Sequence, residues 1–251
     1  MFEQALLFAI ALIANTFSSL AGGGAGLIQL PALLLLGLPF SIALATHKVA
    51  TVALGLGAVV RYLKEDILQR KIALLMLASG LPGVVIGGFI IVRIPDDVSR
   101  TALGVLTMAL GIYSVFNPKL GTENIPQRLD QRGLILGGLV LFLIGILNGS
   151  LTSGTGLFVT LFLIRWFGLD YKHAVAYTLV MVGVFWNATG AVTVGLLSDI
   201  QWDWLIALLL GSFMGGYIGS HLAILKDNIL IKRSYEVITI TIGLQLLFNL
   251  S

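Results

Sequence analysis

Two glycine-rich stretches, residues 21–26 and 148–156, interrupt long apolar segments and are the parts of the sequence best suited to bind a ligand. Glycine weakens a helix because it loses the most backbone entropy on folding, so each stretch predicts that one helix ends and another begins. A helix N-terminus presents backbone N–H groups and a partial positive charge. Two such ends that face each other would form a cradle for a small anion. Tight helix packing is the alternative explanation of these glycines.

Lys48 is a basic residue seven positions into the apolar segment 41–63. A charge at that depth is costly, so a functional role is the default hypothesis, and a bound anion would balance it because the segment has no Asp or Glu. His47 could supply a titratable proton site, and Thr46 completes a polar triplet. Two alternatives stay open. Lys48 could extend to the membrane interface near Ser41, about 10 Å away at 1.5 Å per residue, and His47 could bond to a neighbouring helix.

Hydroxyl and amide side chains lie beside both glycine-rich stretches and suit the oxygen atoms of an oxyanion. The alternative is that these hydroxyls bond to their own helix backbone, as is common in membrane helices. The candidates at the first stretch are Asn15, Ser18, Ser19, Gly22, Gly23 and Gly24. Those at and after the second are Asn148, Ser150, Thr152, Ser153, Thr155, Tyr177, Thr178 and Asn187.

The composition identifies the environment of these residues. The 251 residues are 57% hydrophobic and 11% charged, whereas a soluble domain is about 25% charged, so the chain is predicted to be an all-α polytopic membrane protein. The absence of Cys excludes disulfides and thiol chemistry, and three scattered His residues predict neither a metal site nor another cofactor. A net charge of +3 does not predict nucleic-acid binding. The oligomeric state stays open, with a homodimer as one alternative.

Apolar runs between charged residues define eight segments, two of which are too long for a single crossing of about 20 residues. Each long segment divides at its glycine-rich stretch into an 18-residue piece and a 13-residue piece. The shorter piece cannot cross alone, which predicts a broken or re-entrant hairpin; two short spans are the alternative. The segments are 4–37, 41–63, 72–92, 101–116, 133–167, 171–198, 203–225 and 234–249.

The two halves of the chain match at an offset that grows from 130 to 132 residues. Drift in one direction is expected after duplication and small insertions. We therefore predict repeat 1 over residues 1–116, a cytoplasmic linker over 117–132 and repeat 2 over 133–251, each repeat a hairpin plus three spans. Gly24 and Gly26 match Gly154 and Gly156, and Gly83 and Gly87 match Gly215 and Gly219. The latter two pairs of glycines are expected to let helices pack closely. Thr178 and Leu179 stand where repeat 1 has His47 and Lys48, so the predicted site is asymmetric.

Basic residues favour one topology. If each long segment crosses once, the fourteen Lys and Arg residues other than Lys48 divide seven against seven; if each folds back, they divide twelve against two. The positive-inside rule selects the second arrangement, with both termini periplasmic. Three full crossings per half invert the second repeat, an architecture typical of secondary transporters with a site near the midplane.

Acidic residues are scarce in the spans. Apart from Glu236, every Asp and Glu lies in a loop or near a terminus, so the carboxylate relay of many cation pumps is not expected. An intramembrane enzyme is not expected either, because the sequence has no His cluster, no intramembrane carboxylate pair and no nucleophile beside a base. A passive scaffold would need neither Lys48 nor two broken helices.

Residues 22–46 combine a glycine run, a proline and an Ala-x-Ala-Thr group in a fixed order. They read Gly22-Gly23-Gly24-Ala25-Gly26-Leu27-Ile28-Gln29-Leu30-Pro31-Ala32-Leu33, followed by Gly37 and Ala43-Leu44-Ala45-Thr46. This order resembles the N-terminal motif of the TauE/SafE sulfite exporter family. The resemblance implies a multi-pass carrier of the bacterial inner membrane for sulfite, organosulfonates or related small sulfur-containing anions, with both glycine-rich motifs at a central site.

The sequence also departs from the family motif. His47 stands where the family commonly has Ser, and Leu161 stands where Pro31 would predict a second proline. The fold therefore transfers better than the substrate. We predict alternating-access export of a small anion; an anion channel and a carrier of a different anion, such as a carboxylate, stay open.

Overall fold

The computed structural model describes residues 2–63, 65, 67–90, 96–150 and 154–248, and all regular structure in these residues is helical. This is the all-α architecture expected from the sequence. The first half contains α1 (Phe2–Ala21), α2 (Ala25–Leu35), α3 (Phe40–Tyr62), α4 (Arg70–Ile90) and α5 (Asp96–Val115). The second half contains α6 (Gln131–Ser150), α7 (Thr155–Phe167), α8 (Tyr171–Gly195), α9 (Trp202–Leu225) and α10 (Asn228–Phe248).

Helix length separates spans from half-helices. Among the described residues, α1, α3, α4, α6, α8 and α9 are long and apolar enough to cross a membrane. The helices α5 and α10 have 20 and 21 residues, about 30 Å at 1.5 Å per residue, and reach the same length. The helices α2 and α7 have 11 and 13 residues, at most about 20 Å, and are too short to cross.

Both predicted breaks are present. At the first break, Gly22, Gly23 and Gly24 all have positive φ angles, of 82°, 138° and 98°, which a residue with a side chain rarely adopts. At the second, Gly154 has a φ of 76° directly before α7. In each half the third residue of the short helix donates its N–H to the carbonyl of the capping glycine at 2.9 Å, which makes the two helix starts equivalent.

Equivalent helices pack in equivalent pairs. Helix α1 packs along α9, and its counterpart α6 packs along α4, which is the counterpart of α9. Helix α5 packs against its own counterpart, α10. The predicted packing glycines are at these contacts: a Cβ on Gly83 would lie 2.3 Å from Phe142 O in α6, and one on Gly215 would lie 2.6 Å from Leu12 O in α1. The absent side chains allow the helix backbones to touch.

The linker lies at the same end of the molecule as Arg165 and Lys172. A single crossing of each long segment would put these residues on opposite sides of the membrane. Residue Gly121 of the linker accepts a hydrogen bond from Tyr171 N at 2.9 Å, beside Lys172. Arg165 donates to Tyr113 OH at 3.0 Å, close to the start of the linker. These contacts agree with the folded-back arrangement, in which the linker, Arg165 and Lys172 share a side.

Helix α10 begins at Asn228, six residues earlier than its apolar run predicts. Asp227 accepts a hydrogen bond from Leu230 N at 2.8 Å and so caps the first turn. The following charged turn is stabilised because Lys232 is buried, pairs with Glu236 and donates to Ser114 in α5. Apolar patterning alone therefore placed this boundary too late.

Candidate functional site

The two breaks meet inside the protein. Thr160 of α7 donates its hydroxyl hydrogen to Gly22 O at 2.7 Å and lies 2.8 Å from the hydroxyl of Thr178. A Cβ on Gly23 would lie 2.6 Å from the carbonyl carbon of Gly156, so the two chains approach with no room for a side chain. The starts of α2 and α7, which are 130 residues apart in sequence, are therefore neighbours.

A small cavity lies at this junction. Its volume is about 40 Å³, counted as the space that the centre of a water molecule can reach, whereas one water needs roughly 10–15 Å³. Both breaks, α3 and α8 contribute to its wall. The predicted candidates that line it are Ser18, Gly23, Gly24, His47, Asn148, Thr155, Thr178 and Asn187.

The N-terminal ends of both half-helices lie in the cavity wall, α2 through Gly24 and Gly26 and α7 through Thr155 and Gly156. The macrodipole of each helix places partial positive charge at these ends. Asn148, in the last turn of α6, donates from Nδ2 to the Thr155 hydroxyl at 2.8 Å and connects the two sides of the break. The starts of α2 and α7 thus bring partial positive charge to the wall, and none of the residues that line it is a Lys, Arg, Asp or Glu.

Two polar atoms in the wall have no partner among the described residues: His47 Nδ1 and Asn187 Oδ1. Their side chains are buried, with His47 1% and Asn187 8% exposed. Buried polar groups are nearly always hydrogen-bonded, so these two are suited to a molecule held in the cavity. The Asn187 amide can present either its oxygen or its NH₂ group, and the histidine ring can donate or accept.

Helix α8 is π-helical from Thr178 to Trp186, a feature that the sequence analysis did not predict. Thr178, Leu179, Val182 and Gly183 of this segment face the cavity. Short π-helical turns are frequent at functional sites because the wider turn redirects side chains. The corresponding helix of the first half, α3, is a regular α-helix.

Thr51 also lines the cavity and was not among the candidates. Its hydroxyl donates to the backbone carbonyls of His47 and Lys48, each at 3.0 Å. The sequence contains one indication of this role: Thr51 is four residues after His47, and residues four apart share one face of a helix.

Lys48 does not line the cavity. Its side chain is fully buried, and its ammonium donates to Asn148 O at 2.9 Å, at the C-terminal end of α6. Helix α8 leaves room for it, since a Cβ on Gly190 would lie 2.7 Å from Lys48 Nζ. Because the Lys48 side chain has no exposed area, it does not extend to the membrane interface.

The remaining candidates lie away from the cavity. Asn15 donates to Gln29, to Ser212 and to Ala11 O, and Thr46 accepts from Gln201 N. Ser150 bonds to its own helix, as the alternative interpretation of these hydroxyls anticipates, and Tyr177 bonds to the backbone of Gln69. Ser19 is buried but not in the wall, and Gly22 contributes only the carbonyl bonded by Thr160. Thr152 and Ser153 lie outside the described residues.

Many membrane transporters have membrane-length helices around broken helices that meet at a polar cavity. Comparison of the sequence with known families identifies the family to which the chain belongs. The family model described as Sulfite exporter TauE/SafE matches residues 7–246, so the chain belongs to the TauE/SafE family. The family resemblance seen in residues 22–46 is therefore confirmed over nearly the whole chain.

Relatives of similar length carry consistent names. The chain is 28% identical to a Haemophilus influenzae "Probable membrane transporter protein", over 98% of this chain and 94% of that protein. It is 27% identical to the Escherichia coli K12 "Probable membrane transporter protein YfcA", over 97% and 89%. A Sinorhizobium "Probable membrane transporter protein ORF9" is 29% identical, over 97% and 92%. No solved structure matches the chain. The family and these names support a multi-pass membrane transporter of the TauE/SafE type.

Proposed function

We propose that the protein is a secondary transporter that exports a small sulfur-containing anion, with sulfite as the leading substrate, across the bacterial inner membrane. The observation that carries the proposal is the position of two half-helix N-termini, one from each half of the chain, in the wall of one cavity. Partial positive charge at both ends favours a small anion.

The side chains of the wall complete the binding site. Hydroxyls of Ser18 and Thr155 and the amide of Asn187 donate to the anion oxygens, and His47 provides a further donor when Nδ1 carries its proton. Thr178 also lines the cavity, but its hydroxyl hydrogen is donated to Ala174 O at 2.9 Å. Gly23 and Gly156 let the anion reach the backbone. Lys48 acts from behind the wall: it contacts Asn148, which itself lines the cavity, and its charge is felt strongly in a low-dielectric interior.

Alternating access would use the two repeats, 1–116 and 133–251, as its moving parts. Equivalent contacts between the repeats, α1 with α9 and α6 with α4, allow the halves to exchange related conformations around a fixed site. We place the end containing linker 117–132 in the cytoplasm and both termini in the periplasm, because that end gathers the basic residues.

Cavity size supports an inorganic anion. About 40 Å³ holds a few water molecules, which is closer to sulfite than to an organosulfonate with a carbon chain. The description of the matching family points to the same substrate. Carriage of a carboxylate is the alternative that a ligand screen addresses.

The first experiment is a thermal-shift screen of the purified protein with sulfite, sulfate, thiosulfate, sulfoacetate and small carboxylates. We expect sulfite to raise the unfolding temperature and Ser18→Ala to reduce that rise. Ser19→Ala is the matched control, since Ser19 is buried in the same helix but does not line the cavity and should leave the sulfite-induced rise intact.

Flux in proteoliposomes then distinguishes the mechanisms. A carrier shows saturable flux and counterflow when labelled sulfite is placed opposite an excess of unlabelled sulfite. Flux that neither saturates nor shows counterflow would establish a channel, and chemical conversion of the anion would establish an enzyme.

A further inference from the structure

Helix α8 lines the cavity at both ends of its π-helical segment. Thr178 begins the segment, and Asn187 follows its last residue, nine positions after Thr178. On a regular α-helix with about 3.6 residues per turn, positions nine apart lie on opposite faces. A π-helix closes i→i+5 hydrogen bonds and has about 4.4 residues per turn, so the same nine positions complete two turns and share one face. The π-helical form therefore brings both residues to the cavity.

Helix α3 of the first half shows what a regular α-helix does in the same place. His47, Thr51 and Leu54 line the cavity, at the spacings of four and three residues that define one face of an α-helix. Leu56, nine residues after His47, is 46% exposed and lies on the other side of the helix. Without the π-helical segment, Asn187 would likewise be turned away from the cavity.

Hydrogen bonds attach both ends of the π-helical segment to α4 and to the residue that precedes it. Directly before the segment, the Tyr177 hydroxyl accepts from Gln69 N at 2.5 Å and donates to Gln69 O at 3.1 Å. At the end of the segment, Trp186 Nε1 donates to Met76 O at 3.1 Å. The Trp186 ring is fully buried, and a Cβ on Gly80 would overlap it, so this glycine of α4 provides the space for the ring.

The spacing of these two anchors fits a π-helix. Gln69 and Met76 are seven residues apart, which is about 10.5 Å along a helix at 1.5 Å per residue. Tyr177 and Trp186 are nine residues apart, which an α-helix would extend to about 13.5 Å. A π-helix places more residues in each turn, so it advances less per residue and shortens this distance. The segment thus takes up extra residues, and α8 has 25 residues where α3 has 23.

We infer that Tyr177 and Trp186 are positioning residues, which hold α8 in its π-helical form and thereby turn Asn187 into the cavity wall. Neither of the two lines the cavity, so they act through Asn187 rather than by contact with a ligand. Asn187 Oδ1 has no partner among the described residues, so the orientation of this side chain decides what the wall offers. The effect on anion binding rests on the proposed function, whereas the effect on orientation does not.

The orientation of Asn187 can be measured against α3. Two contacts show that α3 and α8 run antiparallel, with Thr51 opposite Asn187. In each contact a Cβ on a glycine would lie close to the other helix, at 2.5 Å for Gly55 with Gly183 and at 2.7 Å for Gly190 with Lys48.

The chain has no cysteine, so Thr51→Cys and Asn187→Cys introduce the only two thiols. We expect a short bis-methanethiosulfonate reagent to cross-link this pair in the purified protein without any anion. Adding Tyr177→Phe or Trp186→Phe, each of which keeps an aromatic ring but removes one anchor, should lower the yield at least threefold. Trp204→Phe is the matched control, because Trp204 is also buried but lies in α9, and it should leave the yield unchanged.

Sulfite affinity separates positioning from general destabilisation. Trp186→Phe, Asn187→Leu and the double variant should each bind sulfite at least fivefold more weakly than the wild type. The three affinities should agree within twofold, because all three variants lose the same contact. Wild-type affinity of Trp186→Phe, or effects that multiply in the double variant, would overturn the inference.

An unchanged cross-linking yield with either Phe substitution would also overturn it, as would a failure of the thiol pair to cross-link while both anchors are intact. Because each anchor is removed separately, the comparison holds if one of the two variants does not fold. Yields that fall as expected, while neither the wild type nor any variant responds to any anion, would refute the proposed function and leave the positioning role standing.

Discussion

The two breaks start equivalent half-helices, and a lysine from the first repeat reaches the second of them. At the first, the carbonyl of Ser18 is bonded by the backbone amides of Gly22 and Gly23. At the second, the carbonyl of Asn148 is bonded by the ammonium of Lys48. Both halves therefore contribute a break and a half-helix to the site, whereas Lys48 has no basic counterpart, because Leu179 stands at the equivalent position.

The helices that follow the half-helices differ in the same way. His47 in α3 and Thr178 in α8 are equivalent positions, and both face the cavity. Helix α3 reaches the cavity as a regular α-helix, whereas α8 does so through its π-helical segment. Equivalent positions of the two halves therefore line the cavity, although the groups they carry differ.

The largest effect is expected where the breaks touch. Gly23→Ala places a Cβ 2.6 Å from the backbone of Gly156 at a φ of 138°, so overpacking of about 1–3 kcal/mol adds to the backbone strain. The control is Gly37→Ala, with a φ of 96° and nothing within 4 Å of the new Cβ, which carries backbone strain of about 1–2 kcal/mol alone. Unfolding temperatures in detergent compare the two. Equal losses would mean that the breaks are not in contact.

The second prediction tests the charge asymmetry. Replacing a buried charge by an apolar residue of similar volume is often neutral or stabilising, so Lys48→Met should fold as well as the wild type. Loss of the charge behind the cavity wall should weaken sulfite binding at least tenfold, about 1.4 kcal/mol. Leu179→Met at the equivalent position is a volume-conserving control that should bind normally. Calorimetric titration gives the affinities, and unchanged binding by Lys48→Met would remove Lys48 from the site.

The third prediction contrasts two buried asparagines. Asn187 has an unpartnered Oδ1 in the cavity wall, so Asn187→Leu should keep or raise stability by up to about 1 kcal/mol while it weakens sulfite binding. Asn15 donates to Gln29 and Ser212 inside the helix packing, so Asn15→Leu should cost about 1–3 kcal/mol. Thermal unfolding without sulfite measures the stability of each variant, and the further shift with sulfite measures its binding. If Asn187→Leu lost stability and kept its affinity, the residue would be structural.

Several features of the site follow from sequence because they are local. Segment length and glycine placement locate both breaks, and the internal repeat pairs His47 with Thr178. The contact of Lys48 with Asn148 was not predictable, because it joins residues 100 positions apart on helices whose rotation depends on packing. The π-helical segment leaves no comparable pattern, since its residues after Thr178 are apolar and would suit a regular α-helix equally well. Asn15 and Tyr177 have suitable side chains but were assigned to the site because sequence does not show which face of a helix meets the cavity.

The smallest effect concerns the start of α8. Asp170 caps this helix by accepting from His173 N at 2.9 Å, whereas Pro39, the equivalent residue before α3, makes no side-chain cap. Burial opposes the carboxylate charge, but hydrogen bonds from His173 and Asn228 outweigh it and lower the pKa of Asp170. The stabilisation is therefore fully present above the unfolded pKa of about 3.9 and is lost as the pH falls through the lower folded value.

Asp170→Ala should cost about 1 kcal/mol at neutral pH, and Asp170→Asn, which retains a capping oxygen, should cost less. The difference in unfolding temperature between the wild type and Asp170→Ala should narrow as the pH falls from 7 to 3. A constant difference between them would show that the charge of Asp170 contributes nothing to the cap.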